Sequence, residues 1–381
     1  MDSMTKLELL GRSAQYDICA RCDGSGEARV RGGFDRWIYP AVLPDGRRVR
    51  LLKVLQTNAC RNDCRYCPTR YSRDFRRLAF APEELAAIFE SLRRARKVSG
   101  LFLSSAVHGA PDATMARMIA TVEILRRRYG FRGYVHLKVL PGASEAAIEA
   151  AARLADRISI NLEAPSPERL RRIAPDKDFE HDLYSRLRLV AQMARDRRFR
   201  AQSATTQYVV GAAGESDREI ITRTWELYTR HGLYRAYYSA YQPPDAEAAH
   251  DAPAVPLMRE HRLYQTDFLF RKYGFRPEEI IYDESGNLSL EADPKTLWAR
   301  HHPERFPVEI NTATREELLR VPGIGPRTVQ HILAARTYSR LRDLRDLAQL
   351  GAVVSRAASY ILLAGRRPIP PVQRLLWPAT A

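Results

Sequence analysis

Between residues 50 and 245, short apolar runs rich in β-formers alternate with helix-patterned segments, and this alternation leaves the chain few folds. The runs lie at 50–57, 101–105, 133–139, 157–162, 203–210 and 235–240. One helical segment opens at Pro82 with Glu83 and Glu84 in its first turn; others lie near 112–129, 144–154, 181–197 and 216–231. Strands separated by helices pair in parallel through right-handed crossovers, so six βα units predict an α/β fold with a parallel sheet. Ligands of such sheets sit at the C-terminal strand ends.

The first run leads into Cys60-Arg61-Asn62-Asp63-Cys64-Arg65-Tyr66-Cys67. A loop this tight directs three thiolates at one centre. A cubane iron–sulfur cluster is normally held by four cysteines, and three leave one iron open to a small molecule. The competing zinc site needs a fourth ligand, and no histidine lies between Cys67 and His108. Cys-x3-Cys-x2-Cys, with Tyr66 before the last cysteine, resembles the signature of the radical S-adenosylmethionine (SAM) superfamily. The resemblance implies a partial (β/α)6 barrel and a [4Fe-4S] cluster on Cys60, Cys64 and Cys67. It implies SAM chelated at the open iron and cleaved by one electron to methionine and a 5′-deoxyadenosyl radical. It also implies an electron donor as partner.

The other strand ends supply candidate cofactor contacts, together with Tyr66. Ser104 and Ser105 occupy the place where relatives carry glycines that meet the methionyl amino group. Alternation puts Asn161 and Glu163 on one face, suited to ribose hydroxyls or the methionine ammonium; a helix cap or internal ion pair is the bland alternative. Gly211 and Gly214 would let backbone approach the adenine, or simply form a turn. Tyr237, Tyr238 and Tyr241 form an aromatic segment expected at the mouth or in the core. No second-step catalyst stands out; Tyr66, His108, Glu163 and Tyr241 are candidates by position alone.

The remaining chain reads as follows. Residues 1–49 form an extension with a short amphipathic helix from Met4, and a hairpin at 37–46 before the first barrel strand. Its Cys19 and Cys22 have the spacing of half a metal site or of extra cluster ligands, but with no second pair a non-ligand pair in a loop is the favoured reading. The barrel spans 50–245, and a connector expected to pack on it spans 246–305. The formal net charge of +16 suits a polyanionic partner, although only seven of the 61 basic residues are lysine, a skew that base composition would also produce. No apolar run approaches a membrane span and no signal-peptide pattern opens the chain; with the thiolate site, this predicts a cytoplasmic protein with no membrane partner.

The character changes after residue 306. Thr312 or Thr314 caps a helix with Glu316 and Glu317 in its first turn, Val321-Pro322-Gly323-Ile324-Gly325 forms a hairpin, and a second helix begins near Pro326. This resembles a helix-hairpin-helix module, a small all-α domain over 306–366, with a tail at 367–381. Gly323 and Gly325 permit the turn and bare backbone N–H groups toward a phosphate, Ile324 packs between the helices, and Arg327 and Thr328 reach phosphate oxygens. Such contacts hold DNA without reading its sequence. Leu350-Gly351-Ala352-Val353 is a weaker copy lacking the second glycine. From residue 306 onward eleven arginines face five acids, a net of +6. Protein contacts or capping of the barrel are the alternatives.

A radical SAM barrel joined to a C-terminal helix-hairpin-helix resembles the DNA modification/repair radical SAM protein family. That resemblance implies a DNA base or lesion as substrate and a uracil-DNA-glycosylase-like protein as partner. The base would be extruded into the barrel mouth, since a stacked base cannot meet a buried radical. Two competitors remain: a radical SAM enzyme that modifies RNA, and a DNA-binding protein whose cluster is structural or redox-sensing.

Overall fold

The computed structural model describes residues 2–14, 38–42, 46, 48–244, 248 and 252–368. Cys19 and Cys22 lie outside the described residues, as do part of the expected hairpin and the tail from residue 369. The chain divides into two compact units, Met1–Glu260 and His261–Ala381.

The first unit is a curled half-barrel of seven strands in chain order. They are β1 (Ile38–Val42), β2 (Arg48–Leu55), β3 (Gly100–Ser104), β4 (Tyr134–Lys138), β5 (Arg157–Ser159), β6 (Ala204–Val210) and β7 (Arg235–Ala240). Strands β2 to β7 are parallel, and β1 pairs antiparallel with the free edge of β2. The helices are α1 (Ser3–Ser13), α2 (Pro82–Arg94), α3 (Pro111–Glu123), α4 (Glu145–Leu154), α5 (Pro167–Ile173), α6 (Ser185–Met193) and α7 (Asp217–His231). Their ends are specified locally. Ser216 and Glu219 form a reciprocal cap on α7, which stops at Gly232 in the left-handed conformation.

Strand β5 is shorter than the six residues its pattern predicts. The Thr206 hydroxyl inserts between the strands, accepting from Leu162 N and donating to the Ile160 carbonyl. Pairing resumes as a single bridge between Glu163 and Tyr208. The interruption leaves Glu163 at a φ of 65°, a conformation costly for a residue with a Cβ.

The second unit contains most of α8 (Leu257–Tyr273), then α9 (Pro294–His301), β8 (Val308–Glu309), α10 (Arg315–Arg320), α11 (Pro326–Ala335), α12 (Leu344–Gln349), α13 (Val354–Ala357) and β9 (Ile361–Leu362). Its core gathers Ile310, Leu318, Leu319, Ile324, Val329 and Ile332. A short parallel pairing of β8 with β9 closes the helical module. Among the described residues no helix is long and apolar enough to cross a membrane.

Candidate functional site

The thiol loop leaves the C-terminal end of β2 and is tied down on several sides. Gln56 N donates to the Ser104 carbonyl at 2.8 Å, and Arg61 N to that of Val107 at 2.8 Å. Asn58 pairs by backbone and side chain with residues 76–78. One guanidinium gathers the rest. Arg77 donates to the carbonyls of Asn58, Thr69, Arg70, Tyr71 and Arg73 at 2.7–3.2 Å. Its planar fork suits several carbonyls at once. Arg77 lies outside the cysteine motif, and no spacing in the sequence marks it.

Cys60, Cys64 and Cys67 are all free; Cys64 is buried and the other two are half-buried. Burial pushes the Cys64 thiol up, against the pull of the Lys177 ammonium. Burial, then the neighbouring Cys64, pushes the Cys67 thiol up to about 12. Thiols held this high ionise near neutral pH only when a metal's charge draws them down. Among the described residues no three His, Cys, Asp or Glu side chains converge as a single metal ion requires. An iron–sulfur cubane takes each thiol on a different iron and does not need that convergence. The three-thiol donor set therefore fits the cluster.

Beside the thiols stands a buried ion pair that sequence reading half found. Lys177 Nζ is 3.7 Å from Glu163 Oε1, with the two side chains 8% and 9% exposed. The same ammonium donates to the Tyr66 hydroxyl at 3.0 Å. Burial works against the charge on Lys177, but the Cys64 and Glu163 fields outweigh it and hold its pKa above the ordinary lysine value. Burial, then Glu163, holds the Tyr66 phenol well above its usual range. Asn161 Nδ2 lies 3.4 Å from Glu163 Oε2, so the two side chains meet, although β5 ends at Ser159 and the left-handed Glu163 breaks the strand alternation between them. Lys177 carried no sequence signal, lying in a loop outside any motif.

The other positions fall out differently. Ser104 is buried and its carbonyl holds Gln56, while the Ser105 hydroxyl donates to the Ala106 carbonyl. Gly211 has a φ of 87°, and a Cβ there would stand 2.4 Å from Val255 Cγ2. Its open side is thus filled by Val255, and its N–H is held by the Glu215 carboxylate. His108 is exposed and Tyr241 is buried in a small apolar cluster that Tyr66 packs against. A cleft of about 740 Å³ lined by Arg188, Arg195, Arg230 and His231 lies on the outer helices α6 and α7, away from the strand ends.

In the second unit Thr314 caps α10 reciprocally with Glu317. Gly323 has a φ of 80°, and a Cβ there would come 2.5 Å from the Val353 carbonyl. Val353 N donates back to the Gly323 carbonyl at 2.9 Å, so the weaker copy packs directly on the first hairpin. Ile324 is buried in the core, and Lys295 Nζ donates to its carbonyl at 2.6 Å. Gly325 is the N-cap of α11 and offers no side-chain cap. Arg327 is exposed on the first turn. Thr328 is buried and its hydroxyl donates to the Gly351 carbonyl at 2.9 Å, a partner inside the module rather than in solvent. Arg320, Arg336 and Arg356 are likewise engaged internally, through Glu279, the carbonyls of Ile310 and Ala313, and Asp293.

Comparison with known proteins identifies both parts. Residues 54–222 match the radical SAM superfamily and residues 308–335 match the helix-hairpin-helix motif. A radical SAM domain and a helix-hairpin-helix motif are therefore present in this chain. Among solved structures it is similar to the FeFe-hydrogenase maturase HydG from Carboxydothermus hydrogenoformans (TM-score 0.44, 14% identity, 56% of this chain and 49% of that one). A radical SAM methyltransferase from Sphaerobacter thermophilus gives a TM-score of 0.43 at 16% identity over 60% of this chain and 73% of that one. Methylornithine synthase (PylB) gives a TM-score of 0.43 at 15% identity over 70% and 66%. The chain spans about half the length of the maturase. No curated protein matches it.

Proposed function

From a radical SAM domain and a helix-hairpin-helix motif in one chain, we propose a radical SAM enzyme that acts on DNA, by base modification or lesion repair. The observation that carries the first half is the set of three free thiols after β2, beside the buried Lys177–Glu163 pair. Cys60, Cys64 and Cys67 would hold a [4Fe-4S] cluster. When bound, that cluster supplies the electron that cleaves SAM.

This chain's own residues then bind and orient. Lys177 is a cation placed for the methionine carboxylate, with Tyr66 and Glu163 fixing its position. Asn161 and Glu163 are acceptors and donors suited to ribose hydroxyls. The Ser104–Ser105 backbone borders the same strand end. Burial of Cys64 and of the Lys177–Glu163 pair keeps water from this side of the site.

The DNA half rests on the hairpin. Gly325 leaves the N–H groups of α11 uncapped, and the exposed Arg327 adds a charge beside them. A target nucleotide would leave the stack to meet the radical. A uracil-DNA-glycosylase-like protein and an electron donor are the proposed partners, and the cytoplasm the proposed location. The test is 5′-deoxyadenosine release from protein reconstituted anaerobically with iron and sulfide, reduced and given SAM. Parallel samples contain no nucleic acid, intact DNA, UV-irradiated DNA, uracil-containing DNA or tRNA. Stimulation by a DNA class is expected. Stimulation by tRNA alone would replace DNA with RNA, and no release from cluster-loaded protein would sink the enzyme reading.

A further inference from the structure

On α2, α4 and α5, arginines are matched by a carboxylate one turn away. Glu90 holds Arg93 and Arg94, Glu149 holds Arg153, and Glu168 holds Arg172. The cleft on α6 and α7 departs from this pattern. Its α6 wall is the stripe Ser185, Arg188, Gln192 and Arg195, with no acid three or four residues from either arginine. Neither guanidinium has an ion-pair partner among the described residues. Both arginines are exposed, as is Arg230 at the end of α7.

The carboxylates at hand are already engaged. Asp196 accepts from Arg198 Nε at 2.9 Å and from its Nη2 at 2.6 Å. Glu226 accepts from Arg223 at 2.5 Å and from the Tyr184 hydroxyl at 3.1 Å, and Arg230 reaches it only at 3.4 Å. Arg195 is held in the wall by its stem. Gly232 ends α7 at a φ of 65°, and a Cβ there would stand 3.0 Å from Arg195 Cδ. His231 registers the resulting field. Burial and then the Arg188 charge hold its imidazole below the ordinary value, although Glu226 pulls the other way. Both helices end here, but the half-charge of a helix C-terminus does not cancel full guanidinium charges. A concave wall of one sign focuses its field on an anion.

The wall also indicates which anion. Two helical turns, on the order of 10 Å, separate Arg188 from Arg195, so a ligand with phosphates at intervals can use both. Among the described residues no Phe, Tyr or Trp lines the cleft. It therefore lacks a stacking platform for a base and the aromatic anchor typical of a protein partner. We infer that this cleft of about 740 Å³ is a second contact for the phosphodiester backbone of the nucleic acid on which the enzyme acts. Arg188 and Arg195 take different phosphates through their paired N–H donors, and Arg230 adds charge at the rim. The cleft lies away from the strand ends, so it grips strand flanking the reacting nucleotide and reads no sequence. The inference rests on the proposed action on nucleic acid; DNA and RNA backbones share the chemistry.

The test follows fluorescence anisotropy of labelled duplex DNA, a structured RNA and poly-L-glutamate with the full chain across a range of salt concentrations. Arg188→Gln combined with Arg195→Gln should weaken nucleic-acid binding at least about tenfold near 0.1 M salt and lower the salt slope by about two. The corresponding double lysine variant should keep most of both, since the charge remains. The glutamine loss should add to that of Arg327→Glu. Circular dichroism verifies folding of each variant. An unchanged slope in the glutamine variant, while the unaltered protein binds DNA, overturns the inference and leaves the DNA reading standing. A loss confined to poly-L-glutamate also overturns it, in favour of an acidic polypeptide. Loss of RNA binding, with no DNA binding by the unaltered protein, supports the cleft and refutes DNA as the substrate. No binding of either nucleic acid by the unaltered protein refutes both.

Discussion

Lys177 donates to the Tyr66 hydroxyl at 3.0 Å across 111 residues of chain. That bond fastens the residue before the third cysteine to a loop beyond β5, and it brings a buried cation beside the thiols. Replacing Lys177 by Met leaves Glu163 buried and unpaired. The expected loss is about 3–5 kcal/mol of stability. Lys177→Arg should recover much of it. In the cluster-loaded protein, Lys177→Arg should retain iron while slowing 5′-deoxyadenosine release. Unchanged release in both variants would remove Lys177 from the cofactor site.

Cys60→Ala, Cys64→Ala and Cys67→Ala should each abolish cluster absorbance and SAM cleavage. Iron per chain and 5′-deoxyadenosine are the readouts. Full cleavage by any one variant would refute the ligand assignment.

Arg77→Lys keeps the charge but loses the fork that serves five carbonyls. A melting curve should register about 1–3 kcal/mol of destabilisation. Reconstituted protein should also lose iron faster to a chelator. Iron retention equal to that of the unaltered protein would show that the loop does not depend on this residue.

In the second unit two substitutions separate fold from binding. Gly323→Ala meets the Val353 carbonyl at 2.5 Å in a left-handed conformation and should cost about 1–3 kcal/mol. Arg327→Glu should leave stability alone, weaken DNA binding and lower the salt slope by about one. An unaltered slope would end the phosphate-contact reading.

Acid stability has an identifiable contributor on α2. Hydrogen bonds from Arg93 lead the causes that hold Glu90 at about 2, below its ordinary 4.5. Because the folded value is depressed, the stabilisation is complete above pH 4.5 and fades as pH falls toward 2. The guanidinium partners are exposed, so its size is about 1 kcal/mol. Denaturant titrations across this range should show Glu90→Gln with a shallower acid limb; parallel limbs would contradict the assignment.

The legible features share a short range in sequence. Strand and helix periods act over a few residues, so β2, β3, β4, β6 and β7 lie close to where their patterns place them. The thiols stand within eight residues of one another, and the Gly323–Gly325 hairpin needs only its own backbone. The exceptions have distant causes. β5 stops early because a hydroxyl from β6 enters it, and Thr328 turns inward because Gly351 of the second copy offers a carbonyl.

By itself, the sequence determined the α/β order, the close spacing of three thiols after the first parallel strand and the hairpin, because residue spacing and backbone permissiveness are local properties. Only the tertiary structure decided that Lys177 lies against Tyr66 and Glu163, that Arg77 gathers the thiol loop, and that Val255 fills the open side of Gly211. It also decided that Arg188, Arg195 and Arg230 line one cleft. Those neighbours come from different helices, strands and loops, and the packing of those elements, not sequence distance, sets which charges share a wall.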